Sequence, residues 1–154
     1  MKIVTWNVNS INARIEHLTK FIQKDNSDIY LIQELKCIND TFPYEELEKL
    51  GYNCYVNGQK AWNGVAIISK CKLKILNRKI PTFHDDAQSR FLETEIQINK
   101  IKKPIKLFCI YLPNGNPIET EKFDYKIKWM KRFNEYIIDL YNKNIPIIIG
   151  GDFN

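Results

Sequence analysis

Four short polar clusters, each following an apolar run, hold the residues of this chain that could do chemistry: Trp6-Asn7-Val8-Asn9, Gln33-Glu34, Tyr111-Leu112-Pro113-Asn114-Gly115 and Gly151-Asp152-Phe153-Asn154. A carboxylate and an amide two residues apart at the C-terminal end of a strand form a platform for a hard cation and for phosphate oxygens. Phosphodiester hydrolysis needs a cation to offset charge on the phosphorane-like transition state, a group to handle the proton of the attacking water, and donors that hold phosphate in line. The residue types answer each need. Glu34 suits direct metal ligation, Asn7 offers an amide oxygen to the metal or orients it, and Asp152 suits proton transfer. Asn154 and Tyr111 can donate hydrogen bonds to phosphate. Hard oxygen ligands favour magnesium, with manganese as the alternative.

For these clusters to meet, the elements before them must deliver them to one place. Lys2 to Val8 reads as a strand, and Ser10 then caps a helix whose Ile11, Ile15, Leu18 and Ile22 fall at helical spacing. Asp28 to Gln33, centred on Ile29-Tyr30-Leu31-Ile32, reads as a buried strand. Thr41 is the expected cap of a short helix through Glu45, Leu47 and Leu50, closed by Gly51. Strands follow at Tyr52 to Val56 and Gly64 to Ser69, so the opening is β-α-β-α-β. Leu73 to Ile75, Arg90 to Ile98 and Ile105 to Leu112 read as further strands, and short polar joints such as Asn99 to Pro104 favour antiparallel pairing. A long helix from about Ile118 to Asn142 is expected to pack through Phe123, Ile127, Met130, Phe133, Ile137 and Tyr141. It leads into a last strand, Ile145 to Ile149, and the final cluster. The fold class is mixed α/β, in one domain over residues 1–154 without repeats or linkers.

Composition narrows the function classes. With 44% hydrophobic and 27% charged residues the chain is an ordinary globular sequence, and its longest apolar runs are far shorter than a membrane span. Met1-Lys2 leads directly into the first strand with no leader pattern, so the expected address is the cytoplasm. Cys37, Cys54, Cys71 and Cys109 lack Cys-x-x-Cys spacing, which argues against zinc and for buried free thiols. A net charge of +5 suits a phosphate-rich partner.

Taken in order, Trp6-Asn7-Val8-Asn9-Ser10-Ile11, Ile32-Gln33-Glu34-Leu35-Lys36, Gly64-Val65-Ala66-Ile67-Ile68, Tyr111-Leu112-Pro113-Asn114-Gly115 and Gly151-Asp152-Phe153-Asn154 resemble the bacterial exonuclease III family, within the endonuclease/exonuclease/phosphatase superfamily. Any one motif is weak, but the ordered set is specific. The resemblance implies a four-layer α/β/β/α sandwich with mixed sheets. It implies a magnesium-dependent enzyme of base-excision repair that cleaves DNA at abasic sites and removes nucleotides from 3′ ends, with double-stranded DNA as its partner. It places Asn7 and Glu34 at the metal, Tyr111 on the scissile phosphate, Asp152 at the proton and metal, and Asn154 on phosphate or metal. Lys36, which follows Glu34, Arg90, which opens a strand, and Asn114 are the expected DNA contacts.

The resemblance covers the first part, somewhat over half, of a family member. The family's further Asp and late Asp-His pair fall beyond Asn154, and neither His17 nor His84 replaces that histidine by motif; both read as solvated or capping residues. The expectation is an incomplete domain with its C-terminal part missing, an inner sheet face left uncovered, impaired activity, and a possible need for a separately encoded C-terminal half. Two rival functions stand beside this one: a superfamily relative hydrolysing a phosphoester of a lipid, inositol or nucleotide, and a non-catalytic remnant that binds DNA weakly.

Overall fold

A computed structural model describes residues 1–98 and 101–154, so the expected Asn99 to Pro104 joint lies partly outside the described residues. Strand β1 (Ile3–Asn7), helix α1 (Ile11–Asp25) and strand β2 (Ile29–Gln33) come first, with β1 and β2 parallel from Ile3↔Ile29 to Asn7↔Gln33. Helix α2 (Tyr44–Glu48), β3 (Asn53–Asn57) and β4 (Val65–Ser69) follow. Strand β4 runs antiparallel to both β2 and β3, giving the sheet order β1-β2-β4-β3. Every residue of β2 and β4 is buried, as continuous apolar runs require when both faces of a sheet are covered.

The second sheet takes β5 (Lys74–Asn77), β6 (Phe91–Ile96), β7 (Ile105–Tyr111) and, after helix α3 (Glu121–Asn142), β8 (Ile147–Asp152). The pairs β5-β6 and β6-β7 are antiparallel as expected, although the connection from Arg78 to Arg90 is long, whereas the helical crossover makes β8 parallel to β7. Alternation along each strand then sorts the core into layers. Tyr30, Ile32 and Ile68 face α1 and α2, where Ile11, Leu18, Ile22 and Leu47 cover them. Leu31 and Ile67 turn to the other side and meet Leu92, Leu107 and Cys109 between the sheets. Phe91, Phe108 and Ile110 point outward onto α3. The stack is α/β/β/α, and each fully buried large apolar side chain contributes roughly 1.5–3 kcal/mol.

Several local expectations are corrected. Ser10 occupies the cap position of α1 with φ 82° and makes no side-chain cap bond. The helix start is held by backbone instead: Ser10 N–H donates to Glu34 O (2.8 Å) and Ile11 N–H to Leu35 O (3.1 Å). Thr41 belongs to a separate 3-10 turn, Asn39–Thr41, and α2 begins after Pro43, whose fixed φ suits a helix start. Both inner sheet faces cover each other, so the inner face is not left bare. Exposed apolar surface lies instead beside β8, which among the described residues has no strand on its outer side. There Ile127, Met130 and Phe153 help line a groove of about 570 Å³. The thiols are free, but Cys71 is exposed and Cys54 half-buried, leaving Cys37 and Cys109 as the buried pair.

Helix α3 packs through only part of the expected stripe, keeping Phe133 and Ile137 on the sheet. Trp129 (0% exposed), Leu140, Tyr125, Phe133, Tyr136 and Ile137 face the sheet, while Ile127, Met130 and Tyr141 are exposed. The aromatic ridge brings two hydroxyls to buried carboxylates. Tyr125 donates to Asp86 Oδ1 (2.9 Å), and Tyr136 reaches both oxygens of the fully buried Glu93 (3.1 and 2.9 Å). Asn77 (2.6 Å) and the Lys106 ammonium complete the partners of Glu93, without which a buried charge would be strongly destabilising.

At the end of the first sheet that begins β1, Asp25 accepts from Lys2 Nζ (2.5 Å), the Ser27 hydroxyl and Tyr30 OH (3.1 Å). The Lys2 bond, then that of Ser27, holds its carboxyl at about 2, below the ordinary 3.8. A depressed folded-state pKa contributes stability that is complete above the unfolded value and lost as pH falls through the folded one. Melting temperature is therefore expected to drop between about pH 4 and pH 2, and Asp25→Asn should flatten that limb of a melting-temperature profile while lowering the plateau above it.

Candidate active site

Parallel pairing of β1 with β2 and of β7 with β8 carries the C-terminal ends of each pair in one direction, and β1 lies against β8 across the sandwich. Asn7, Glu34, Tyr111 and Asp152, each at or just past the end of its strand, thereby gather at one rim. The backbone there is forced. Asn9 (φ 45°), Ser10 (82°), Glu34 (56°), Lys36 (54°), Asn63 (54°) and Asn154 (43°) all take left-handed conformations. Such conformations cost roughly 1–3 kcal/mol for non-glycine residues and persist where neighbours over-determine them. Here the neighbours are backbone bonds: Leu35 N–H to Gly64 O (3.2 Å) and Lys36 N–H to Asn63 O (3.0 Å), besides the two that start α1.

Asn7 is the hub. Its Nδ2 donates to Glu34 Oε1 (3.0 Å) and to Asp152 Oδ2 (2.7 Å), so one amide bridges two carboxylates from different sheets. Its Oδ1 accepts the Asn9 N–H (3.0 Å), which fixes the amide's orientation, because a flipped oxygen would face both carboxylates. Tyr111 OH donates to Glu34 Oε1 at 2.5 Å, and Lys36 Nζ lies 3.2 Å from Oε2. Partial burial raises the pKa of Glu34, but the donors Asn7, Tyr111 and Lys36 together outweigh it and hold the carboxyl below its ordinary value. Burial, and then the Glu34 hydrogen bond and charge, push Tyr111 up to about 12, so it stays protonated and remains a donor. Tyr111→Phe keeps the ring and removes the O–H; the Glu34 pKa, followed by carboxyl NMR titration, is expected to rise.

Each expected site residue has a definite place. Asp152 Oδ1 accepts the Asn154 N–H (2.9 Å), while Asn154 Nδ2 donates to Leu112 O (2.7 Å) and its Oδ1 accepts from Asn114 (3.4 Å). The loops after β7 and β8 are thus tied together. Arg90 is engaged by Tyr111: its guanidinium lies 4.7 Å from the ring centroid, and Nη1 reaches Tyr111 O (3.2 Å), with Nε on Gln88 Oε1 (2.6 Å). Its fork therefore steadies the phenol that holds Glu34. His17 and His84 are exposed, as expected for solvated residues.

Sequence reasoning assigned no role to three residues around the rim. Lys126 donates to the carbonyls of Asn114 and Asn154 (3.2 Å each) and packs its stem on Gly115. No local pattern marks it, since the partners lie on other loops. Trp62, 69% exposed, stands on the loop whose Asn63 and Gly64 carbonyls hold Lys36 and Leu35; a tryptophan inside the polar run Gly58-Gln59-Lys60-Ala61-Trp62-Asn63-Gly64 was the available signal. Gln33, buried beneath the rim, donates to Leu31 O (2.9 Å) and Thr5 Oγ1 (3.1 Å), and helps line an open hollow of about 290 Å³ that reaches Asn7 and Asp152.

Two stacked sheets carrying carboxylates, amides and a phenol at their common strand ends define an architecture shared with a known family. A profile of the Endonuclease/Exonuclease/phosphatase family matches residues 4–154, and the chain belongs to that family. Within it, the chain is 35% identical to the exodeoxyribonuclease III of Haemophilus influenzae, covering all of this chain and 57% of that protein. The solved 3′-5′ exonuclease from Neisseria meningitidis superposes with a TM-score of 0.89 at 33% identity, over all of this chain and 58% of the other. An AP endonuclease from Archaeoglobus fulgidus superposes with a TM-score of 0.82 at 26% identity, over 97% of this chain and 56% of the other. The chain thus spans just over half the length of these relatives.

Proposed function

We propose that this chain carries one wall of the active site of a magnesium-dependent DNA phosphodiesterase of base-excision repair, one that incises at abasic sites and trims 3′ ends. The observation that carries the reading is the Asn7 amide shared by Glu34 and Asp152, with the Tyr111 hydroxyl on the same Glu34 oxygen. Relatives named as exodeoxyribonuclease III and AP endonuclease support DNA as the substrate.

Among the described residues no group of three or more His, Cys, Asp or Glu side chains gathers as a metal cage. The all-oxygen set of Glu34 and Asp152, with Asn7 and Asn154 beside them, fits magnesium, which is commonly held by one or two carboxylates while keeping several waters. Manganese shares that preference. When bound, the cation would supply Lewis-acid stabilisation of charge on the phosphoryl oxygens. Glu34 would hold it through Oε2, the oxygen left free by Asn7 and Tyr111. Asp152, fixed at Oδ1 by the Asn154 N–H, would take the proton of the attacking water at Oδ2. Protonated Tyr111 would turn its single O–H from Glu34 Oε1 to the scissile phosphate, and Asn154 would keep the phosphate-side loops in register. Lys36, Asn114 and Arg90 would lie along the DNA backbone, Arg90 mainly through the Tyr111 ring it supports. Full activity would need the portion of the family domain that this chain does not span, whether continuous with it or supplied as a separate chain.

The test is incision of an abasic duplex with and without magnesium, by this chain alone and joined by the missing portion. Magnesium-dependent incision that falls at least about a hundredfold in Glu34→Ala is the expected result. Undiminished magnesium-dependent incision in that variant would remove the reading. Hydrolysis of inositol phosphates or nucleotides with intact DNA would transfer the chain to another branch of its family.

A further inference from the structure

The two carboxylate oxygens of Glu34 have unequal company. Oε1 is held by Asn7 Nδ2 (3.0 Å) and Tyr111 OH (2.5 Å), whereas Oε2 meets, among the described residues, Lys36 Nζ alone, at 3.2 Å. That ammonium is shared: it also donates to Asn9 Oδ1. We propose that Lys36 is an exchangeable counter-ion, whose ammonium holds Oε2 of Glu34 until a divalent cation takes that oxygen, and then turns to a phosphate oxygen of the bound nucleic acid. The proposal rests on the reading of Glu34 as the cation's ligand.

Three features make the exchange physical. First, the pair is poorly hydrated for a surface ion pair, with side chains 28% and 19% exposed, so an unpaired Glu34 would be costly and the lysine lowers that cost. Second, the geometry is built in: Glu34 and Lys36 both take left-handed backbone conformations on either side of the fully buried Leu35, and the loop carbonyls of Asn63 and Gly64 clamp that turn. The lysine need only rotate its own flexible stem to leave, because the backbone beneath it stays fixed. Third, Asn9 Oδ1 gives the ammonium somewhere to remain once Oε2 is occupied. A dication and an ammonium repel, so a cation at Oε2 weakens the hold of the ammonium there. Binding of one must then weaken the other by the same factor.

Lysine therefore acts as a competitor for the cation before substrate arrives, and as a phosphate ligand only in the loaded site. Manganese binding to the chain, measured by isothermal titration without DNA, should reveal the first half. Lys36→Met, which keeps the stem and removes the charge, is expected to bind Mn²⁺ roughly two- to fivefold more tightly, the range an ion pair of this exposure is worth. Asn9→Gly, tolerated at φ 45°, leaves the ammonium with Glu34 alone and is expected to bind Mn²⁺ more weakly by a similar factor. Melting temperatures matched to the parent show that each variant is compared as a folded chain. Duplex binding reveals the second half: Lys36→Met should lose more affinity in Mn²⁺ than in EDTA. Unchanged or weakened Mn²⁺ binding in Lys36→Met, or equal losses of duplex affinity in both media, overturns the proposal. Glu34→Gln separates it from the reading beneath it, since a Glu34→Gln chain that still binds Mn²⁺ normally would show that Glu34 is not the ligand.

Discussion

Asp152→Asn is expected to leave the melting temperature within a few degrees of the parent and to lower the single-turnover rate of magnesium-dependent DNA incision by about 10²–10⁴-fold, the range lost with a general acid or base. The substitution is close to isosteric, and its remaining oxygen can still accept the Asn154 N–H that now meets Oδ1 at 2.9 Å. What changes is the other position. Asn7 Nδ2 lies 2.7 Å from Oδ2, so a new amide nitrogen there would set donor against donor. Asn7 could relieve the clash only by turning its oxygen inward, which would face Glu34 and break the bond from the Asn9 N–H. The variant thus loses both the proposed proton acceptor and the bridge to Glu34, and the second loss should show as weaker Mn²⁺ binding alongside the slower rate. An Asp152→Asn enzyme within tenfold of the parent would mean that the proton leaves by another route.

What could be read from the sequence was what lies close along the chain. The strands at Ile29–Gln33 and Val65–Ser69 were legible because uninterrupted apolar runs leave no other structure that buries both sides. The site clusters were legible because each polar group follows directly on such a run. The details that depend on distant partners were hidden. Nothing near Asn7 says that its amide will span to Asp152, since that requires the edge strands of two different sheets to face each other. Ser10 has the composition of a cap, yet backbone bonds from Glu34 and Leu35 set the helix start and leave its hydroxyl without that task. The packed stripe of α3 could not be chosen by counting aliphatic residues, because Tyr125 and Tyr136 are drawn inward by carboxylates at Asp86 and Glu93 on other elements. Lys36 and Arg90 were legible as cations near the rim, but their pairing with Glu34 and with the Tyr111 ring is tertiary.

Gly150 and Gly151, expected to follow the last strand, lie inside β8 under two unequal constraints, and they yield the largest expected stability change. A Cβ on Gly151 would lie 2.0 Å from the Ile110 carbonyl oxygen and 2.9 Å from its carbon, with φ at +155° besides. That oxygen belongs to the backbone of β7, paired with Gly151 in the parallel ladder, so it cannot swing aside. Relief requires β7 and β8 to part, and the next rung is Tyr111↔Asp152, two of the site's working residues. A Cβ on Gly150 would instead meet the Leu31 Cδ1 methyl at 2.4 Å, the end of a side chain that can change rotamer within the inter-sheet core. Overpacking of that kind typically costs about 1–3 kcal/mol. Gly151→Ala adds a backbone clash to the strain and is expected to cost about 3–5 kcal/mol, at the upper end for point substitutions. For a chain of this size that corresponds to a fall of roughly 6–20 °C in melting temperature. Gly151→Ala should also weaken Mn²⁺ binding, whereas Gly150→Ala should lose stability alone. Denaturant midpoints and Mn²⁺ titrations of the two variants side by side decide the matter: equal stability losses, or a Gly151→Ala chain that binds Mn²⁺ like the parent, would show that β8 can shift without moving Asp152.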